Sequence, residues 1–263
     1  MQYPVHGRHL AAIALVLGCT PLYTFPPGPP PERLSAHPRA EVLHYKVEWR
    51  LIHAGNGKLT WTPNNSQGKP SASATLHLES AGLVNKLYKV NDDYAAQIRD
   101  EFCTASTHTL AHEGSRRRET NVTFDSAAKK ATYLERDLVK NTVVSTKEIE
   151  IPVCVHDVVA GLYRLRAMRL EPGQSTSMPI SDGKKSVDGK IQAQEREQVR
   201  IGNRTYRTIR YEVLLFNDVL YRRKGRLFVW LSDDERRLPV QIRVRLQFHI
   251  GTITLQLEKE ETT

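Results

Sequence analysis

The chain has 263 residues, 40% of them apolar and 25% charged, which suffices to fill a real core and excludes a disordered polypeptide. Its 38 basic and 29 acidic side chains leave a formal charge of +9. Anionic surfaces and polymers therefore attract it at long range, although charge alone selects no partner.

The chain opens with "MQYPVHGRHL", which carries Arg8 and no acid, followed by the apolar run "LAAIALVL" and then Gly18-Cys19. A run of about eight apolar residues is too short to span a bilayer. It fits an export signal ending at a lipobox, with Gly18 as the small residue before the cysteine and Val16 as the aliphatic residue at the third position before it, although Leu17 is a less usual neighbour. The competing reading, a buried N-terminal helix, is opposed by "PPGPPP", which cannot continue a helix. Residues 1–18 thus read as a lipoprotein signal peptide and Cys19 as the lipidated residue. More than one acyl chain there would anchor the protein stably. Residues 19–40 read as a stiff Pro-rich linker, extended at about 3.1 Å per residue. With Cys19 committed to lipid, Cys103 and Cys154 remain in an oxidising compartment, either as a disulfide or as two separate buried thiols.

From Glu41 onward period-two alternation recurs. In "LHYKVEWRL", Leu43, Tyr45, Val47, Trp49 and Leu51 share one face. "GKLTW" follows an expected "HAGNG" turn, and "SASATLHLE", "NVTFD", "KEIEIPV", "KIQAQEREQV", "TYRTIRYEVLLF" and "RLFVWLS" are further strands. They are separated by turn signals at Asp182-Gly183, Asp188-Gly189, Gly202-Asn203 and Lys224-Gly225. "DDYAAQIRDE" fits helix or strand. "HDVVAGLYRLRAM" has helical spacing, with Asp157 placed to cap its first turn.

Near the C-terminus, "QIRVRLQFHIGTITLQLE" alternates for longer than an ordinary strand. Ile242, Val244, Leu246, Phe248 and Ile250 are even-numbered, whereas Ile253, Leu255 and Leu257 are odd. A β-bulge at Gly251 would keep both halves facing one core while bending a single long strand, and a strand of that length needs a curved sheet. The expected architecture is all-β: a single antiparallel meander over residues 41–258, curved into a barrel or half-barrel, with one short helix near 157–168 and a disordered tail at 259–263.

"YKVEW", "PVCVHDVVAGLYRLR", "FVWLSDDERRLPVQI" and "IGTITLQL" resemble the bacterial domain-of-unknown-function family 3108 across about residues 41–257. The resemblance maps onto Asp157, Tyr163, Arg166, Trp230, Asp233, Asp234, Pro239, Val240 and Gly251. Ala160 stands where a serine is expected, which removes any hydroxyl role there. The resemblance implies an exported envelope protein, often a lipoprotein, with no assigned activity and no catalytic residue to carry over.

Motifs for chemistry are sparse. "HTLAHEG" sets His108 and His112 four apart beside Glu113, without the order that a zinc hydrolase helix needs. Asp233 and Asp234 suit a turn better than a catalytic pair. No Gly-x-Ser-x-Gly elbow or phosphate-cradling glycine loop occurs, and the basic clusters "SRRRET" and "YRRKGR" read as solvated faces or headgroup contacts rather than a nucleic-acid site.

The sequence therefore leads to no enzyme, no metal and no cofactor. It points to a lipid-anchored protein on the periplasmic face of the outer membrane. Trp49, Trp61 and Trp230 are the candidate contacts for an apolar or amphipathic envelope molecule (a lipid or lipopolysaccharide) or a partner protein on the concave face. A structural or assembly factor without small ligand is the alternative, and an envelope hydrolase the third reading.

Overall fold

The computed structural model describes residues 39–64, 71–247 and 251–262. The signal peptide, Cys19 and all but the end of the Pro-rich linker lie outside the described residues, as do Phe248 and Ile250. In chain order the strands are β1 (Glu41–Trp49), β2 (Ile52–Asn64), β3 (Ser71–Ser80), β4 (Val90–Ile98), β5 (Thr104–Glu113), β6 (Arg116–Asp125), β7 (Lys130–Asp137) and β8 (Thr142–Glu150). Then follow β9 (Ser175–Ser181), β10 (Ser186–Ile201), β11 (Arg204–Leu214), β12 (Gly225–Ser232), β13 (Pro239–Leu246) and β14 (Thr252–Thr262). A short helix α1 (Gly82–Leu87) joins β3 to β4, and helix α2 (Val158–Ala167) lies between β8 and β9.

The described strands form one antiparallel sheet of 14, in the order β8-β7-β6-β5-β4-β3-β2-β1-β14-β13-β12-β11-β10-β9. Each strand neighbours the next along the chain except β8 and β9, between which the chain leaves the sheet and which remain its two edges; strand β14 returns to pair with β1.

This sheet is strongly curled. Strands β6 and β9 are eleven steps apart in the sheet, about 50 Å if flat at roughly 4.8 Å per step. Yet a Cβ placed on Gly183, in the turn after β9, would meet Val122 Cγ1 of β6 at 2.5 Å. The Lys184 ammonium of the same turn sits 4.3 Å from the Tyr133 ring centre on β7. The two ends of the sheet therefore face each other without pairing, making an open half-barrel. Segment 151–157 spans the gap: Val155 O accepts from Thr104 N of β5 at 2.9 Å, and His156 bridges to Ile180 of β9.

The stretch 241–258 is a hairpin, not one bulged strand. Ile242 lies opposite Leu255 and Val244 opposite Ile253. Gly251 has φ +87°, a left-handed conformation that suits glycine. It closes the turn by accepting from Leu246 N at 3.0 Å and donating to Gln247 O at 2.8 Å. An antiparallel pair whose register sums to an odd number sets even residues of one strand against odd residues of the other. The parity switch thus marks a turn as well as it marks a bulge, and "QFHIG" carries little turn chemistry to separate the two. Ile242 and Val244 of one half and Leu255 of the other do face one interior.

Other boundaries also shift. The first turn is Arg50–Leu51, both at positive φ (49° and 70°), so "HAGNG" continues inside β2. Asp188-Gly189 lies within β10, and "DDYAAQI" belongs to strand β4. Strand β14 runs on to Thr262, with Glu41 opposite Thr262, so residues 259–262 are paired strand and not a disordered tail.

Candidate functional site

Helix α2 forms where its spacing places it, with Asp157 as its N-cap. The Asp157 carboxylate accepts from Val159 N at 2.7 Å and, more loosely, from Ala160 N. It also accepts from Thr104 Oγ1 at 2.8 Å and from the Tyr94 hydroxyl at 2.5 Å, tying the helix start to β4 and β5. Burial, together with this location beside a carboxylate, holds the Tyr94 phenol well above its ordinary pKa.

The other end of the helix is fixed by a buried polar network. The Tyr163 hydroxyl donates to Glu41 Oε1 at 2.9 Å, and the Arg166 guanidinium grips both Glu41 oxygens. Arg166 Nε donates to Arg237 O at 3.1 Å, Arg237 Nε donates back to Arg166 O at 2.8 Å, and Arg237 Nη2 reaches the Tyr211 hydroxyl at 2.7 Å. Burial, reinforced by the Glu41 charge, pushes the Tyr163 phenol far up. Asp234 accepts from Ser232 Oγ and from the amides of Arg236 and Arg237, building the β12–β13 turn, while Pro239 O accepts from the Tyr45 hydroxyl at 2.9 Å. Asp233 pairs with Arg196 at 3.0 Å. Asp157, Tyr163 and Arg166 are thus the joints that hold α2 across the concave face, whereas Asp234 and Pro239 fix the β12–β13 turn and its contact with β1. Glu41, the buried counterion, was missed in the sequence because an acid at a strand start gives no hint of a distant arginine.

Between α2 and the sheet lies a cavity of about 300 Å³. Its walls come from both halves of the curl: Leu59, Leu76 and Leu255 from one side, Ile180, Val213, Val229 and Ile242 from the other, with Leu162 and Leu165 of the helix. The lining is almost wholly carbon. Tyr221 and Phe216, in the connection after β11, stand at its rim, their rings 5.4 Å apart. Phe216 and Tyr221 lie in an irregular segment with no periodicity to mark them.

None of the three tryptophans lines this cavity, which corrects the sequence expectation. Trp61 is fully buried on the concave face but is consumed in packing, stacked on Tyr163 with ring centres 3.9 Å apart. Trp230 faces the other side of the sheet: Val229 points into the cavity, so its neighbour points away. There Arg243 lies over its ring at 5.0 Å and its indole donates to Glu197 at 2.6 Å. Trp49 ends β1 beside Arg50, 5.4 Å away.

Cys103 and Cys154 are joined in a disulfide that closes a separation of 51 residues. Glu101 lies near both sulfurs, but sulfurs bonded to each other are not thiolate ligands. The nearby His156 is buried, which pushes its pKa down, and its ring faces Pro179 O and Glu101 O. His108 pairs with Glu119 at 3.2 Å. The His112 backbone amide, not its ring, bonds Asp92.

A β-barrel-like protein of the domain of unknown function DUF1849 from Brucella abortus superposes with a TM-score of 0.52 at 6% identity, covering 86% of this chain and 98% of that one. It shares the fold, and at that identity nothing more. A DUF1089 family protein from Pseudomonas aeruginosa covers 83% of this chain and 94% of its own at 12% identity, but its TM-score of 0.26 is too low to speak for a common fold. No curated protein matches the sequence. The family model of DUF3108, a protein of unknown function, matches residues 44–258. That span takes in the helix and all but the two ends of the half-barrel, with the joint residues other than Glu41, and the chain belongs to this family.

Proposed function

We propose that this protein is a lipid-anchored carrier or receptor of the bacterial periplasm, which holds an apolar or amphipathic molecule between α2 and the concave sheet. The cavity carries this reading. Protein interiors leave few voids larger than a water molecule. A carbon-lined space of about 300 Å³ with no occupant forgoes packing contacts and leaves apolar wall exposed, both of which are unfavourable. An apolar occupant removes that cost. The volume also falls at the lower end of ordinary small-molecule sites, about 300–1,000 Å³. The anchor rests on the Val16, Gly18 and Cys19 pattern.

The test uses the full chain with Cys19→Ser, which keeps it soluble whether or not the wild type is acylated. Saturable enhancement of N-phenyl-1-naphthylamine fluorescence is expected, as is an apolar compound released by solvent extraction and seen by mass spectrometry. A chain that enhances the dye only linearly with concentration would remove the cavity reading and leave the structural or assembly role.

A further inference from the structure

The apolar cavity does not end in solvent on every side. Leu76, Val158, Val159 and Tyr221 also line a second space of about 390 Å³, on the concave face of β3 to β6. The chemistry changes stepwise along one cross-strand row. Leu59 of β2 faces Leu76 of β3, which faces Tyr94 of β4, then Thr109 of β5 and Thr120 of β6. Carbon gives way to a phenol and then to hydroxyls. The polar half is completed by Thr107, Ser181 and three carboxylates, Asp92, Asp157 and Asp182, with no Lys, Arg or His among the described residues of its wall.

On the proposed function just given, we infer that the ligand is an amphiphile whose apolar chain fills the cavity and whose polar head is a hydrogen-bond donor without negative charge, a polyhydroxyl or ammonium group. Carboxylates accept and do not donate, and a phosphate or carboxylate head would face like charges in a half-buried space. Two cations beside the cleft have acidic neighbours of their own: Lys184 Nζ donates to Glu135 at 3.4 Å, and Arg118 Nη1 lies 3.0 Å from Asp137, although without the alignment of a hydrogen bond. Thr107, 9% exposed, lines the cleft, and its hydroxyl makes no hydrogen bond among the described residues. A hydroxyl so placed is reachable from the cleft and can bond a polar group that enters it. Tyr221 stands at the junction, ring toward the cavity; burial and the Asp182 and Asp157 charges push its phenol up to about 12, so it remains a donor and acceptor at neutral pH. Burial likewise raises the Asp92 carboxyl. The positive charge of the whole chain is thus misleading for this site: basic residues dominate the sequence, and acids dominate the cleft.

Dodecyl maltoside, dodecylamine and dodecyl phosphate, each below its micellar concentration, are to be competed against N-phenyl-1-naphthylamine on the full Cys19→Ser chain. The maltoside and the amine are expected to displace the dye, and the phosphate to do so about tenfold more weakly or worse. Thr107→Val should narrow that difference severalfold. Equal displacement by all three heads overturns the head assignment and leaves the apolar cavity standing, and tighter binding of the phosphate overturns it outright. A chain that binds neither dye nor any dodecyl compound overturns both readings.

Discussion

Replacing Asp157 with alanine removes more than a helix cap. The carboxylate serves two α2 amides, the Thr104 hydroxyl and the Tyr94 hydroxyl, and is itself 5% exposed. Losing an N-cap costs about 1 kcal/mol, and leaving each of two enclosed hydroxyls without its charged acceptor costs about 1–3 kcal/mol. The sum is about 3–7 kcal/mol, or a melting temperature lower by about 6–28 °C for a domain of this size. Urea unfolding followed by tryptophan fluorescence measures it directly, with an unchanged m-value showing that the folded state keeps its compactness. Asp157→Asn retains one acceptor oxygen and should lose roughly half as much. An alanine variant within about 1 kcal/mol of the parent would mean that the helix is held by packing alone and that the polar joints contribute nothing.

Breaking the Cys103–Cys154 bond, which spans 51 residues, by Cys154→Ser should cost about 4 kcal/mol on the chain-entropy model, read from the shift in urea midpoint. Val213→Phe, which pushes a ring into the cavity, should weaken N-phenyl-1-naphthylamine binding by about tenfold or more while the melting temperature holds or rises. Acid unfolding provides a fourth check. Glu212 accepts from Arg226 Nε at 2.6 Å and Nη2 at 2.7 Å, and that partner depresses its pKa. A carboxylate with a depressed folded pKa contributes stability that is present above its ordinary value near 4.5 and is lost as pH falls through the lower folded value. Glu212→Gln should therefore flatten the stability curve below that pH and leave its shape near neutrality unchanged.

Much of the scaffold is legible in the residues. Period-two alternation identifies most strands because a half-buried sheet needs one apolar face. The helix is marked within a residue at each end by Asp157 and by apolar spacing of three and four, since a cap and an amphipathic stripe are local properties. Where local signals were ambiguous, the reading went astray. At Gly251 the parity change fits a bulge or a turn equally, and at "HAGNG" glycines that look like a turn sit in a strand.

What the sequence determined by itself is the class of fold, the helix, the family and the pattern at Val16, Gly18 and Cys19, because each is written in residues close together along the chain. Tertiary structure alone decided the site. Leu59 and Val213 become walls of one cavity only because the sheet curls until strands far apart in its order confront each other. Alternation also put Trp230 on the outer side of β12, where a strand's own pattern tells two faces apart but does not say which one is concave. Burial, charge neighbours and void space depend on that curvature, a sum of small twists along 14 strands that no short stretch of sequence records.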